Sequence, residues 1–95
     1  MLFRSIPCYL VDKNNRISLL KKTAVLKKRE VFGDFLSLIP FTESVEDVNL
    51  TGMKYPLNHA RFVLGESLGI SNEVIEEEAV IDFKTGILIM LETRD

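Results

Sequence analysis

The sequence predicts an α+β fold: a small single domain, residues 1–95, in which an antiparallel sheet that includes a C-terminal β-hairpin packs with two or three helices. Three observations carry that expectation. Apolar residues alternate near the start of the chain, two internal stretches carry a period near 3.6, and Lys84-Thr85-Gly86 separates two apolar runs near its end as a short hairpin loop would. A chain of 95 residues, 46% hydrophobic and 27% charged, buries roughly two-thirds of its unfolded surface and holds one core.

Residues 2–11 read as a strand. Ile6, Cys8 and Leu10 alternate with Tyr9 and Val11, and Asp12-Lys13-Asn14-Asn15 supplies the turn that ends it. Pro7 cannot donate a ladder hydrogen bond, so this strand belongs at a sheet edge or carries a bulge. Residues 16–32 place Ile17, Leu20, Ala24, Val25, Val31 and Phe32 on one helical face, and a helix is the better reading. Lys21 and Lys28 intrude on that face, so a strand over 16–20 followed by a helix is the alternative.

Gly33-Asp34 breaks the pattern, and the apolar run Phe35–Phe41 is assigned to the core. Residues 42–52 suit a single helical turn capped by Thr42 or Ser44, with Glu43, Glu46 and Asp47 near its positive end. Residues 57–68 space Leu57, Arg61, Leu64 and Leu68 on one face with Ala60 and Val63, which predicts a helix capped by Asn58 and closed by Gly69. Residues 79–83 and 87–91 are the arms of the C-terminal hairpin. The second arm is apolar throughout, as a central strand or a partner-covered face requires.

Charge is divided along the chain. Residues 1–29 carry eight basic side chains against Asp12 alone, a net +7, while residues 30–95 carry four against thirteen acids, a net −9. Such asymmetry suits two parts of one fold that neutralise each other, a basic surface for nucleic acid, or an acidic surface for a basic partner. The single cysteine leaves no internal disulfide, and the opening residues lack the apolar core and cleavage site of a secretory signal. A cytoplasmic protein is expected, or one in the host cytoplasm if its origin is viral.

Residues 64–71 resemble the first helix and turn of helix-turn-helix proteins, with glycines at 65 and 69 and a capping serine at 71. The helix that would enter the groove, residues 72–78, holds four glutamates and none of Arg, Lys or Gln to read a purine edge, so DNA recognition there is rejected on charge. Lys21, Lys22, Lys27, Lys28 and Arg29 form the alternative nucleic-acid surface, a salt-dependent grip on phosphates.

His59 is the only histidine, so a multi-histidine metal site is excluded, and a Cys8–His59 pair is the one thiol arrangement available. No nucleotide fingerprint or nucleophile elbow occurs, and no cofactor is expected. These observations predict a non-enzymatic binding or regulatory protein. Its expected protein-contacting residues are Glu76, Glu77 and Glu78 with Ile87 and Ile89, and its expected partner is another protein or a second copy of itself.

Overall fold

A computed structural model describes residues 8–66 and 71–94. Its strands are β1 (Cys8–Val11), β2 (Asn15–Leu20), β3 (Ala24–Lys27), β4 (Phe35–Pro40), β5 (Ser44–Thr51), β6 (Leu57–Val63), β7 (Glu78–Asp82) and β8 (Leu88–Thr93), with one 3-10 turn at Lys28–Glu30. They form two antiparallel four-stranded sheets, β1-β2-β8-β4 and β3-β7-β5-β6. The α+β expectation is therefore corrected. Among the described residues no α-helix is present, and none is long and apolar enough to cross a membrane.

Both sheets turn alternate residues into one shared core. Leu20, Leu36, Leu38, Leu88 and Met90 enter it from the first sheet, and Leu26, Val45, Val48, Leu50, Phe62 and Ile81 from the second. Period-two burial along β4 and β8 shows the local rule at work: Leu36, Leu38 and Pro40 point inward, as do Leu88, Met90 and Glu92. β8 lies between β2 and β4, so its apolar outward residues Ile89 and Leu91 face their counterparts Leu19, Ile39 and Ile17 across the ladder.

The helix expected over 16–32 is replaced by two strands in different sheets. Lys21, Lys22 and Thr23 are exposed at the corner between them, which is why lysines interrupted the supposed apolar face. The helical turn expected over 42–52 is β5, and the helix expected over 57–68 is β6 as far as residue 63, with its proposed closing Gly69 outside the described residues.

Bulges explain the false helical spacing. Val45 pairs with Phe62, Val48 with Ala60 and Leu50 with Leu57, so β5 carries an extra residue between 45 and 48 and β6 one between 57 and 60. Inward positions at 57, 60 and 62 mimic the start of a helical face. The two insertions cancel, and the register is restored.

The hairpin expected over 79–91 is also corrected. β7 pairs with β3 and β5, whereas β8 pairs with β2 and β4. Lys84–Ile87 instead form a corner between the sheets, held to residues 42–46 by Lys84 N–H to the Glu46 carbonyl (2.9 Å), Glu46 N–H to the Thr85 carbonyl (3.1 Å) and Ile87 N–H to Thr42 Oγ1 (3.1 Å). A strand apolar on both faces is best buried with a neighbour on each side, and the first sheet offers two. The first strand is seen only as β1, which lies at a sheet edge with a register irregularity between Cys8 and Leu10; residues 2–7 of the expected strand lie outside the described residues.

Candidate functional site

Three connecting segments converge beside the second sheet: residues 28–34, 52–56 and 71–77. Asn72 joins two of them. Its side chain is buried, with Oδ1 accepting from the backbone N–H of Tyr55 (3.0 Å) and Glu73 (2.9 Å) and Nδ2 donating to the Tyr55 carbonyl (2.8 Å). Its own backbone exchanges both hydrogen bonds with Leu36 on β4. A buried amide with every group paired rigidifies what it touches.

Gly52 supports the same loop from below. Its carbonyl accepts from Ile75 N–H (3.0 Å) and Glu76 N–H (3.2 Å). Its φ of +75° and the Glu78 carbonyl oxygen, 2.2 Å from where a Cβ would stand, leave room only for glycine. From the other side, Lys28 N–H donates to the Glu77 carbonyl at 3.0 Å, and Lys28 Nζ reaches the Ile75 carbonyl at 3.4 Å.

The Lys28–Ile75 contact separates two open grooves. One, of about 480 Å³, has Val31, Phe32, Gly33 and Asp34 on one wall and Glu73, Val74 and Ile75 on the other. The second, of about 650 Å³, is lined by Lys27, Lys28, Arg29, Ile75, Glu77 and Glu78. The first combines apolar side chains with two carboxylates, and the second sets cations beside carboxylates. Ile75 is half exposed between them, at 50%. Volumes in this range are those of small-molecule sites.

Behind the first groove stands Glu92, only 1% exposed. Arg16 donates to it from Nε (3.2 Å) and Nη2 (3.1 Å), and Phe32 N–H donates at 3.0 Å. Burial pushes the Glu92 carboxyl above the usual range, against the opposing pull of the Phe32 amide and the Arg16 charge. On the surface the sign reverses: the hydrogen bond from Lys27 and its charge hold Glu78 below the usual range.

The expected site residues are thus divided. Lys27, Lys28 and Arg29 meet Glu77 and Glu78 across one groove, with a Lys27–Glu78 ion pair of 2.7 Å. Lys21 and Lys22 stand at the β2–β3 corner, Glu76 is exposed beside Gly52's partner amides, Ile87 lies in the β7–β8 corner and Ile89 faces outward on β8. None of these last five lines either groove. Cys8 and His59 occupy strands of different sheets. Residues 72–78, the rejected DNA-reading helix, are loop and strand start.

Sequence reasoning missed Asn72, Gly52, Phe32, Asp34, Ile75 and the Arg16–Glu92 pair. The turn residues Gly33-Asp34, Gly52 and Ser71-Asn72 were the available signal, since three such clusters between apolar strands mark loops where sites are built.

Residues 22–88 match the family described as thiamin pyrophosphokinase, vitamin B1 binding domain. A curated relative, the thiamine pyrophosphokinase of Bacillus subtilis (strain 168), is 37% identical over 91 residues, covering 96% of this chain and 42% of the relative. A crystal structure of thiamine pyrophosphokinase from Bacillus subtilis superimposes with a TM-score of 0.83 at 40% identity, over 90% of this chain and 40% of that one. A structure of thiamin pyrophosphokinase from Geobacillus thermodenitrificans gives 0.82 at 34% identity, with the same shares covered. The chain spans about two-fifths of the length of these relatives.

The relatives are enzymes by name, and the matched domain is a vitamin-binding one. The expectation of a non-enzymatic regulatory protein, and its nucleic-acid alternative, are corrected accordingly. Of the opposed charges that suggested a docking face, Lys27, Lys28 and Arg29 with Glu77 and Glu78 line the second groove. By the match over residues 22–88 and the similarity that runs along nearly its whole length, the chain belongs to the thiamin pyrophosphokinase vitamin B1 binding domain family.

Proposed function

We propose that this chain is the vitamin-binding part of a thiamine pyrophosphokinase and that the groove between residues 31–34 and 73–75 receives thiamin. The carrying observation is that every residue lining both grooves falls within the matched span, 22–88. Thiamin joins a cationic thiazolium to an aminopyrimidine and ends in a hydroxyethyl arm. Val31, Val74 and Ile75 suit the flat rings, and Asp34 and Glu73 suit the positive charge. Lys28 and Arg29, at the adjoining groove, suit the diphosphate that such an enzyme attaches to the hydroxyl. The site is expected in the cytoplasm.

Isothermal titration calorimetry with thiamin tests this reading. Saturable binding is expected, abolished by Ile75→Arg, which places a cation in the groove at a half-exposed position without disturbing the core. Absence of binding by the folded chain at millimolar thiamin would refute it.

Self-association belongs to the same proposal, with a second copy as the partner. Its support is the outward face of the first sheet, where Ile17, Leu19, Ile39, Ile89 and Leu91 adjoin one another across the ladder. Light scattering on a size-exclusion column should give a mass above that of one chain, and a monomer at high concentration would refute it.

A further inference from the structure

Glu92 lines neither groove, yet its end of β8 holds one groove wall at three successive residues. Glu92 accepts Phe32 N–H, and it fixes Arg16, whose Nη2 donates to the Glu30 carbonyl at 3.0 Å. The next residue, Thr93, presses its carbonyl oxygen to within 2.2 Å of where a Cβ on Gly33 would be, so glycine alone permits that approach. Arg94 then places its guanidinium 4.4 Å from the centre of the Phe32 ring, with that of Arg16 at 5.4 Å. The opposite wall is secured separately, by Lys54 N–H to the Glu73 carbonyl (2.9 Å) and by Gly52.

A carboxylate costs more to bury than an apolar side chain of similar size, and its neighbours further along the inner face of β8 are Met90 and Leu88. Stability alone gives no reason for a charge at this position. We propose that Glu92 is a positioning residue: through Phe32 and Arg16 it fixes the 30–34 wall at the separation from residues 73–75 that the ligand requires. The inference rests on the thiamin reading for its ligand, while the fixing of the wall stands on the hydrogen bonds alone.

Two readouts separate these parts, thiamin affinity by calorimetry and amide hydrogen exchange by mass spectrometry, on the wild type, Glu92→Gln and Arg16→Lys. In Glu92→Gln, affinity is expected to fall about tenfold, the equivalent of one charge-assisted hydrogen bond. Exchange in 30–34 is expected to quicken by about the same factor while β5 and β7 keep their protection. Should Glu92→Gln not fold, the same two readouts on Arg16→Lys decide. Unchanged affinity with unchanged exchange in 30–34 would overturn the proposal, as would exchange rising equally in β5 and β7, the mark of a merely structural role. If the wild type does not bind thiamin, the vitamin reading fails, and the exchange pattern alone decides whether Glu92 holds the wall.

Discussion

Asp47 on β5 and His59 on β6 face each other at the two compensating bulges, with the Asp47 carboxylate and the His59 Nδ1 in contact and both backbones left-handed, at φ +56° and +51°. Asn49 completes the group, its Oδ1 accepting His59 N–H at 2.8 Å and its Nδ2 donating to the Asp47 carbonyl at 3.0 Å. Aspartate, asparagine and histidine tolerate this conformation better than other residues with a Cβ, because short polar side chains bond locally. His59→Asn is therefore expected to leave stability nearly unchanged. His59→Val should cost about 1–2 kcal/mol in chemical denaturation, from a β-branched residue at positive φ.

Gly52→Ala should be the most damaging small substitution near the grooves. The added methyl meets the Glu78 carbonyl oxygen at 2.2 Å and is forced to φ +75°. A loss of about 2–4 kcal/mol is expected in urea unfolding, with thiamin binding lost wherever the variant still folds.

Asn72→Ala removes a side chain that satisfies two backbone amides and one carbonyl at the junction of the loops. Orphaning such groups costs about 1–3 kcal/mol, measurable as a lowered denaturation midpoint. Asn72→Asp should recover only part of it, since a carboxylate cannot donate to the Tyr55 carbonyl. A variant as stable as the wild type would show that water replaces the clamp.

The pH dependence of stability is expected to divide by burial. Glu92 has its folded pKa raised above 4.5 by burial, so its contribution is fully present below the unfolded pKa and is lost as pH rises through the folded one. Glu78 and Glu46 are lowered, by hydrogen bonds from Lys27 and Arg61, so the little that these screened surface groups contribute is present above 4.5 and lost as pH falls. The stability of the wild type relative to Glu92→Gln should thus grow as pH is lowered through the folded pKa of Glu92 toward 4.5. A relative stability in denaturation that falls over that range would mean that the Arg16 charge outweighs burial.

Exposed pairs should matter little. Lys27 and Glu78 bond at 2.7 Å, but their side chains are 42% and 55% exposed. Solvent screening leaves such a pair almost no net effect, so Lys27→Ala should unfold at the wild-type midpoint within error, in low salt and in high.

Local features were legible along the chain: enough apolar residues for a core, turns at Asp12–Asn15 and around Gly33, and extended character in β1 and in the arms 79–83 and 87–91. Alternation is a property of neighbours along the chain, and it survives without knowledge of the fold. Partner choice is not. Among the described strands, consecutive ones pair only as β1–β2 and β5–β6, while β2 to β3, β3 to β4, β4 to β5 and β7 to β8 each change sheet. A turn signal reads the same whether the chain folds back or crosses over, so the C-terminal hairpin could not be told from a corner.

The remainder depended on distances across the core, which only the folded chain fixes. Bulges at Asp47 and His59 shift the inward positions from spacing two to spacing three, which imitates a helix until the opposing strand is seen. Glu92 and Asn72 looked like two more polar residues in a charged chain. Only when a sequence separation of 76 closes up does Arg16 reach Glu92, and only across one of 17 does Asn72 reach Tyr55. The two charged segments meet for the same reason, through the pairing of β3 with β7, and their meeting shapes a groove that neither segment encodes alone.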